Sequence, residues 1–261
     1  MALTLNLRSQ MLRRNSENRS FWQVAEEIAE FSYAETALLL CDVWNKHWSH
    51  GDNERLAAML PRMNSVVSVA RKAGVTIIHA PSSTMDFYED SLARKRVLNT
   101  DLVSPPEDIA HEDPPLPIDS SDGGSDTKDV DLQYHDPDKD GTAWTRQHPG
   151  IDIDDDLDFI SDDGRQIYSC MHKRGVSNLL ILGVHTNMCV LGRSFAIRQM
   201  VRWGKKVALI RDLTDAMYDP AMPPYVSHDE GTRLVIGYIE KFWCPTILSG
   251  DILALEDKFS K

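Results

Sequence analysis

Short, fully apolar runs separated by longer stretches of helical periodicity constrain this chain more than any other feature. A strand reads as continuous apolar sequence when both of its faces are buried, and that happens chiefly inside a parallel sheet covered by helices. Thr36 to Asp42 (TALLLCD) is such a run, and Val75 to His79 (VTIIH) and Leu179 to Val184 (LLILGV) repeat the pattern. Between the first two, Leu56, Leu60, Met63, Val67 and Ala70 recur at three and four residues and Gly74 follows, which predicts a helix over 54–72. The same reading gives a weaker strand at 143–147, a helix from an N-cap at Ser161 to Arg174, and a helix over 188–203 closed by Gly204. A strand at 207–210, a helix over 229–242 and a strand at 246–248 complete the series. The expected architecture is α/β: a three-layer α/β/α doubly wound sheet of about six mostly parallel strands.

The 261 residues are read as one domain over 1–261, with a core at 34–248, an N-terminal extension at 1–33 and a Pro- and Asp-rich insertion at 104–141. A loop of that length in a compact domain is either a lid or a solvated excursion. Forty acidic residues against 28 Lys and Arg leave a net charge of -12 with no basic run, which disfavours nucleic acid and anionic membranes as partners. No apolar stretch approaches the ~20 residues of a membrane helix, and no secretory signal is read at the start, so the expected location is cytoplasmic. Large apolar residues outside the repeating core, among them Phe21, Trp22, Phe31, Trp243 and the 252–259 stretch, predict a homo-oligomer.

In a doubly wound sheet, ligands bind beyond the carboxyl ends of the strands. Asp42 closes the first strand, Arg146 closes the 143–147 strand, and Cys189 lies just past LLILGV at the start of a helix. A helix N-terminus lowers a thiol's pKa and favours thiolate, a carboxylate beside it can accept the proton, and a guanidinium can stabilise the charge that moves to substrate. Each also has an ordinary structural reading, as a buried core thiol, a loop cap and a surface charge. Neither G-x-G-x-x-G nor G-x-x-x-x-G-K-[ST] is present, so no nucleotide cofactor is expected. Asp136 to Gly141 opens like a calcium loop, but its twelfth position is Gln147 rather than Glu, and both this segment and 152–158 read as solvated acidic loops.

The residues Ala37-Leu-Leu-Leu-Cys-Asp42, Gly183-Val-His-Thr-Asn-Met-Cys-Val190 and Gly204-Lys-Lys-Val-Ala-Leu-Ile-Arg-Asp212 together resemble the isochorismatase-like cysteine hydrolases, a family that includes nicotinamidases and N-carbamoylsarcosine amidases. The resemblance covers roughly 36–248. It implies an Asp, Lys and Cys triad, with Asp42 as general base and Cys189 as nucleophile. The family's Lys falls where this chain has Arg146, which keeps the charge but cannot exchange a proton. It further implies a cis peptide between Val184 and His185, whose neighbouring N–H groups form an oxyanion hole. Read this way, the chain is a hydrolase of the carbon-nitrogen bond of a small amide, through a thioester. Two alternatives stay open: a binding or regulatory protein on a degenerate scaffold, and a vinyl-ether hydrolase of the isochorismatase type.

The metal-binding branch of that family uses an Asp and two His after the second strand, where this chain reads His79-Ala-Pro-Ser-Ser-Thr-Met-Asp86 without the D-x-H spacing. No catalytic metal is expected by that route, although His47, His50, His79 and His185 remain candidate ligands. Trp44, His47, Trp48 and Tyr218 are the candidate substrate-binding residues, able to enclose a small, roughly planar molecule.

Overall fold

The computed structural model of the chain describes residues 1–127 and 143–256, so the calcium-like segment at 136–141 lies outside the described residues. The strands β1 (Ala2–Arg14), β2 (Ser20–Ser32), β3 (Thr36–Cys41), β4 (Thr76–Ala80), β5 (Phe159–Ile160), β6 (Asn178–Val184), β7 (Lys206–Asp215) and β8 (Thr246–Ile247) form a single sheet. Their order is β2-β1-β8-β7-β6-β3-β4-β5. From β8 to β5 neighbouring strands are parallel.

Helices α1 (His50–Ala73), α2 (Leu92–Leu98), α3 (Gly164–Lys173), α4 (Cys189–Gly192), α5 (Ile197–Arg202), α6 (His228–Phe242) and α7 (Gly250–Leu253) connect and cover the strands. Leu38 and Leu40 of β3 join a core shared with α1 and α7 on one face, while Ala37, Leu39 and Cys41 join the core under α3 to α6 on the other. This is the three-layer arrangement that the double-sided burial of β3 and β6 demands.

Several local expectations differ from the structure. The N-terminal extension carries strands that the sequence reading did not give it: β1 and β2 form a long antiparallel hairpin, and β1 adds antiparallel to β8 through Arg8 and Thr246. The alternation Leu3, Leu5, Leu7 turns apolar side chains into the α1 core, and this anchors the hairpin. The segment 143–147 is not a strand, since its sheet contact is an isolated bridge from Gln147 to Trp44. The edge beside β4 belongs instead to β5, two residues that are too short to show a period.

The expected helix over 188–203 is broken into α4 and α5, with Arg193 extended at ψ 153°. The Gly164 N–H donates to Ser194 Oγ at 3.0 Å, and a Cβ on Gly164 would lie 2.1 Å from the Ser194 carbonyl, so the start of α3 presses into the break. The N-cap of α3 is Asp163, whose Oδ1 accepts from Arg165 and Gln166 at 2.8 and 2.9 Å, whereas Ser161 Oγ donates to Gln166 Oε1.

The described part of the insertion, 104–127, packs on the domain: its backbone donates to the Arg202 and Pro223 carbonyls, Ile118 enters the core, Asp113 meets Arg198 and the Tyr238 hydroxyl, and Asp126 meets Arg55. The 152–158 stretch is likewise structural: Asp155 accepts from Ser91 and Ala93 at the start of α2, and Asp158 is buried against Arg71 and His79.

Candidate active site

Asp42 follows β3 with φ 50°, a left-handed turn that carries its fully buried carboxylate over the carboxyl edge of the sheet. Its Oδ1 accepts from the Ser82 N–H at 2.7 Å, and its Oδ2 accepts from Arg193 Nε at 2.9 Å. The Cys189 thiol hydrogen-bonds to the same carboxylate. Gly183 makes this convergence possible, because at φ 122° a Cβ would lie 2.0 Å from the Cys41 carbonyl oxygen. The Val184–His185 peptide is cis, and the His185 backbone N–H faces the Cys189 sulfur.

The electrostatics of this trio differ from the thiolate expectation. Burial pushes the Cys189 thiol up to about 12 and the Asp42 charge adds to the rise, while Arg193 and the His185 N–H pull it down. Helix α4 has four residues, too few for a dipole that could reverse the effect. Burial also raises Asp42 above the ordinary carboxylate range, against the opposing pull of Arg193. The resting pair is therefore a neutral thiol held by a carboxylate with enhanced basicity.

The cation paired with Asp42 is Arg193. Arg146 is not paired with Asp42 among the described residues: its backbone pairs with Asn45, and its guanidinium sits 5.3 Å from the Phe87 ring centroid. Arg193 reaches Asp42 because the backbone is extended after α4, a break that helical periodicity does not reveal.

Trp44 is buried and stacks on Trp144 with centroids 3.9 Å apart, its Nε1 donating to the Ser82 carbonyl at 3.1 Å. His47 lies parallel to Trp144 at 5.7 Å, and Trp48 is tilted against His47 at 5.1 Å. Trp144, whose buried Nε1 has no hydrogen-bond partner among the described residues, was not singled out from sequence. Tyr218 does not belong with these rings: it is fully buried in the core, its hydroxyl donating to the Met222 carbonyl and its ring pressed on Gly231.

Of the candidate metal ligands, the fold brings His47 and His185 together with Asp52 of α1, their ligand atoms all within 4.8 Å of one another. Burial lowers the His185 imidazole to about 4, with Asp52 opposing the fall, so the ring is neutral. His79 is buried elsewhere, between Gln147 and Asp158, and His50 pairs with Glu54. Arg55 gathers Asp52, Asp126 and Asp215 at 2.6 to 2.9 Å, and Asp215 also meets His228 Nε2 at 2.9 Å. Asp215 escaped the sequence reading because β7 continues five residues past Ile210.

No protein-family model and no curated protein matches the chain. A cysteine hydrolase from Pseudomonas syringae pv. phaseolicola 1448A superposes with a TM-score of 0.54 at 16% identity, covering 87% of this chain and 95% of that one. The fold is that of the isochorismatase-like cysteine hydrolases. An isochorismatase-like protein from Burkholderia xenovorans LB400 gives 0.51 at 15% identity, over 86% of this chain and 88% of that one. An isochorismatase hydrolase-like protein from Oleispira antarctica gives 0.50 at 12% identity, over 85% and 97%. Within this isochorismatase-like fold, Asp42 and Cys189 stand at the carboxyl ends of the adjacent strands β3 and β6. No helix among the described residues is long and apolar enough to cross a membrane.

Proposed function

We propose that the chain is a cysteine-dependent hydrolase that cleaves the carbon-nitrogen bond of a small amide through a thioester. The observation that carries this reading is the half-buried Cys189 thiol set against the buried Asp42 carboxylate, which Arg193 holds at 2.9 Å, with the His185 N–H beside the sulfur. The fold it shares with a cysteine hydrolase supports the same class of chemistry.

The thiol is protonated at rest, so its proton passes to Asp42 as sulfur attacks the carbonyl carbon. The oxyanion is received by the backbone N–H groups of His185 and Cys189. Asp42 then gives the proton to the departing amine as the carbon-nitrogen bond breaks and the thioester forms. Asp42 next takes a proton from water, the resulting hydroxide attacks the thioester, and the thiol is restored as the acid leaves. Arg193 is always charged, so it orients Asp42 and balances its charge without exchanging a proton. Trp44, Trp48, Trp144 and His47 form an aromatic side that suits a small planar amide.

Intact-mass spectrometry during turnover of an amide panel is the test, with an acyl adduct on Cys189 as the expected product. Cys189→Ala is expected to abolish turnover, and Asp42→Asn to lower it by about 10²- to 10⁴-fold. Activity that survives in Cys189→Ala but disappears in Asp42→Ala would replace this reading with vinyl-ether hydrolysis. The Arg193 contact on Asp42, in a fold whose resemblance implies Lys, supports a second reading, a degenerate scaffold that binds without turnover. An inactive parent that gains turnover as Arg193→Lys or Arg146→Lys would establish it.

A further inference from the structure

The cluster of His47, Asp52 and His185 is built from donors that suit a transition-metal ion and leave one another poorly satisfied. Asp52 is buried, and its Oδ1 is taken by Arg55 Nη2 at 2.6 Å. Its Oδ2 has no hydrogen-bond partner among the described residues, yet it lies 3.2 Å from His47 Nδ1 and 3.6 Å from His185 Nε2. His47 Nδ1 is 3.2 Å from both the Ser49 N–H and Asp52 Oδ2, so in the tautomer that accepts from Ser49 two acceptors face one another in a buried place. That arrangement calls for a cation between them, either the proton by which His47 holds the Asp52 charge or a metal ion in its place.

Charge and rigidity point the same way. Three carboxylates, Asp52, Asp126 and Asp215, surround Arg55, with His228 as a further partner of Asp215, so the neighbourhood carries an excess of negative charge. Asn53 fixes the loop that bears His47: its Oδ1 accepts the His47 N–H at 2.8 Å, and its Nδ2 donates to the His47 and Ser49 carbonyls. Ligand atoms bound at 2.0–2.1 Å around a tetrahedral zinc are about 3.3 Å apart, close to the two separations from Asp52.

We propose that His47 Nδ1, Asp52 Oδ2 and His185 Nε2 form a binding site for a divalent transition-metal ion, zinc(II) foremost. The ion displaces the long Ser49 contact and keeps a coordination position open for water or a substrate donor atom. Arg55 holds the second oxygen of the carboxylate ligand. His185 joins this site to the thiol, its ring on the ion and its backbone N–H on Cys189. The ion site does not depend on the hydrolase reading, and its test requires no turnover.

Zinc titration of the full chain by calorimetry, after chelator treatment, is expected to give one ion per chain, with no binding of magnesium at the same concentrations. Asp52→Asn and His47→Gln are each expected to weaken zinc by about 100-fold or more, while Cys189→Ala leaves the affinity unchanged. Cobalt(II) on the wild-type chain needs no variant and is expected to give d–d bands of a low-coordinate nitrogen and oxygen site without a sulfur charge-transfer band. Absence of saturable stoichiometric zinc binding overturns the proposal. So does undiminished binding in folded Asp52→Asn or His47→Gln, or a sulfur band that Cys189→Ala removes.

Discussion

Asp158 offers a measurable link between a buried carboxylate and the stability of the fold. Its oxygens accept from Arg71 Nε at 2.9 Å, Arg71 Nη2 at 2.5 Å and the Asp154 N–H at 2.8 Å, and His79 Nε2 lies 2.9 Å away. Burial alone would raise its pKa, but His79 and Arg71 outweigh burial and bring it from 3.8 to about 2. That difference is worth about 2 kcal/mol of folding free energy. Because the folded value is the lower one, the stabilisation is present above pH 3.8 and is lost as pH falls through about 2. Asp158→Asn removes this titration and leaves the Arg71 guanidinium without its buried counter-charge. At pH 7 the variant should lose about 2–4 kcal/mol, enough to lower Tm by about 4 °C or more. Urea unfolding of both proteins, followed by tryptophan fluorescence from pH 7 to pH 2, isolates the Asp158 contribution from the other carboxylates. The gap between them should narrow by about 2 kcal/mol over the acid part of that range. A gap that stays constant with pH would refute the reasoning, since it would mean that Asp158 titrates alike in the folded and unfolded chain.

Three further outcomes are expected. Gly183→Ala should yield little folded protein, because the new Cβ would meet the Cys41 carbonyl at 2.0 Å where β6 and β3 adjoin, and soluble yield with circular dichroism measures it. Tyr218→Phe should cost about 1–2 kcal/mol in urea unfolding by removing a donor to Met222 and an acceptor for Val226, with KM unchanged because the ring is core. The hairpin of β1 and β2 exposes Val24 and Ile28 at 47% and 73%, whereas Phe31 and Trp243, read from sequence as interface residues, are buried within the chain. We propose that a second copy covers this hairpin; light scattering should give a multiple of 29.5 kDa that Val24→Ser with Ile28→Ser reduces, and a wild-type mass of 29.5 kDa rejects it.

The elements legible in the sequence are those whose burial is unambiguous. β3 and β6 read as strands because, Asn178 aside, every residue in them is apolar or small and both faces are covered, and the residues just beyond them, Asp42 and Cys189, inherit a place at the sheet edge from topology alone. β5 was illegible for the opposite reason: two residues carry no period, and parallel pairing with β4 decides their conformation. The segment at 143–147 looked like a strand from its local composition, but its backbone groups are met by the loop after β3, with Asn45 Oδ1 accepting from Thr145 and Arg146. The acidic stretch at 152–158 looked solvated because Arg71 and Arg96, which neutralise or bind it, are distant in sequence.

The cation beside Asp42 shows how a fold reading passes into chemistry. The strand expected at 143–147 would have put Arg146 at the edge of the sheet, and with only an isolated bridge from Gln147 to Trp44 there, its place at the site rests on the family resemblance alone. Arg193 takes the place beside Asp42 by a different route, four residues after the nucleophile and on the extended backbone between α4 and α5. Nucleophile and cation therefore arrive on one short segment, whose start is held by the Val190 and Met188 N–H groups donating to the His185 carbonyl. The guanidinium is permanently charged, and the thiol is pushed up to about 12, so Asp42 is the group of the trio able to take and return a proton near neutral pH. A shift in Asp42 toward stronger basicity, caused by burial and moderated by Arg193, is what such a proton carrier needs. Arg193→Met should then raise both Asp42 and Cys189 further, slowing alkylation of Cys189 by iodoacetamide at neutral pH. Equal alkylation rates in the two proteins would show that Arg193 holds structure alone.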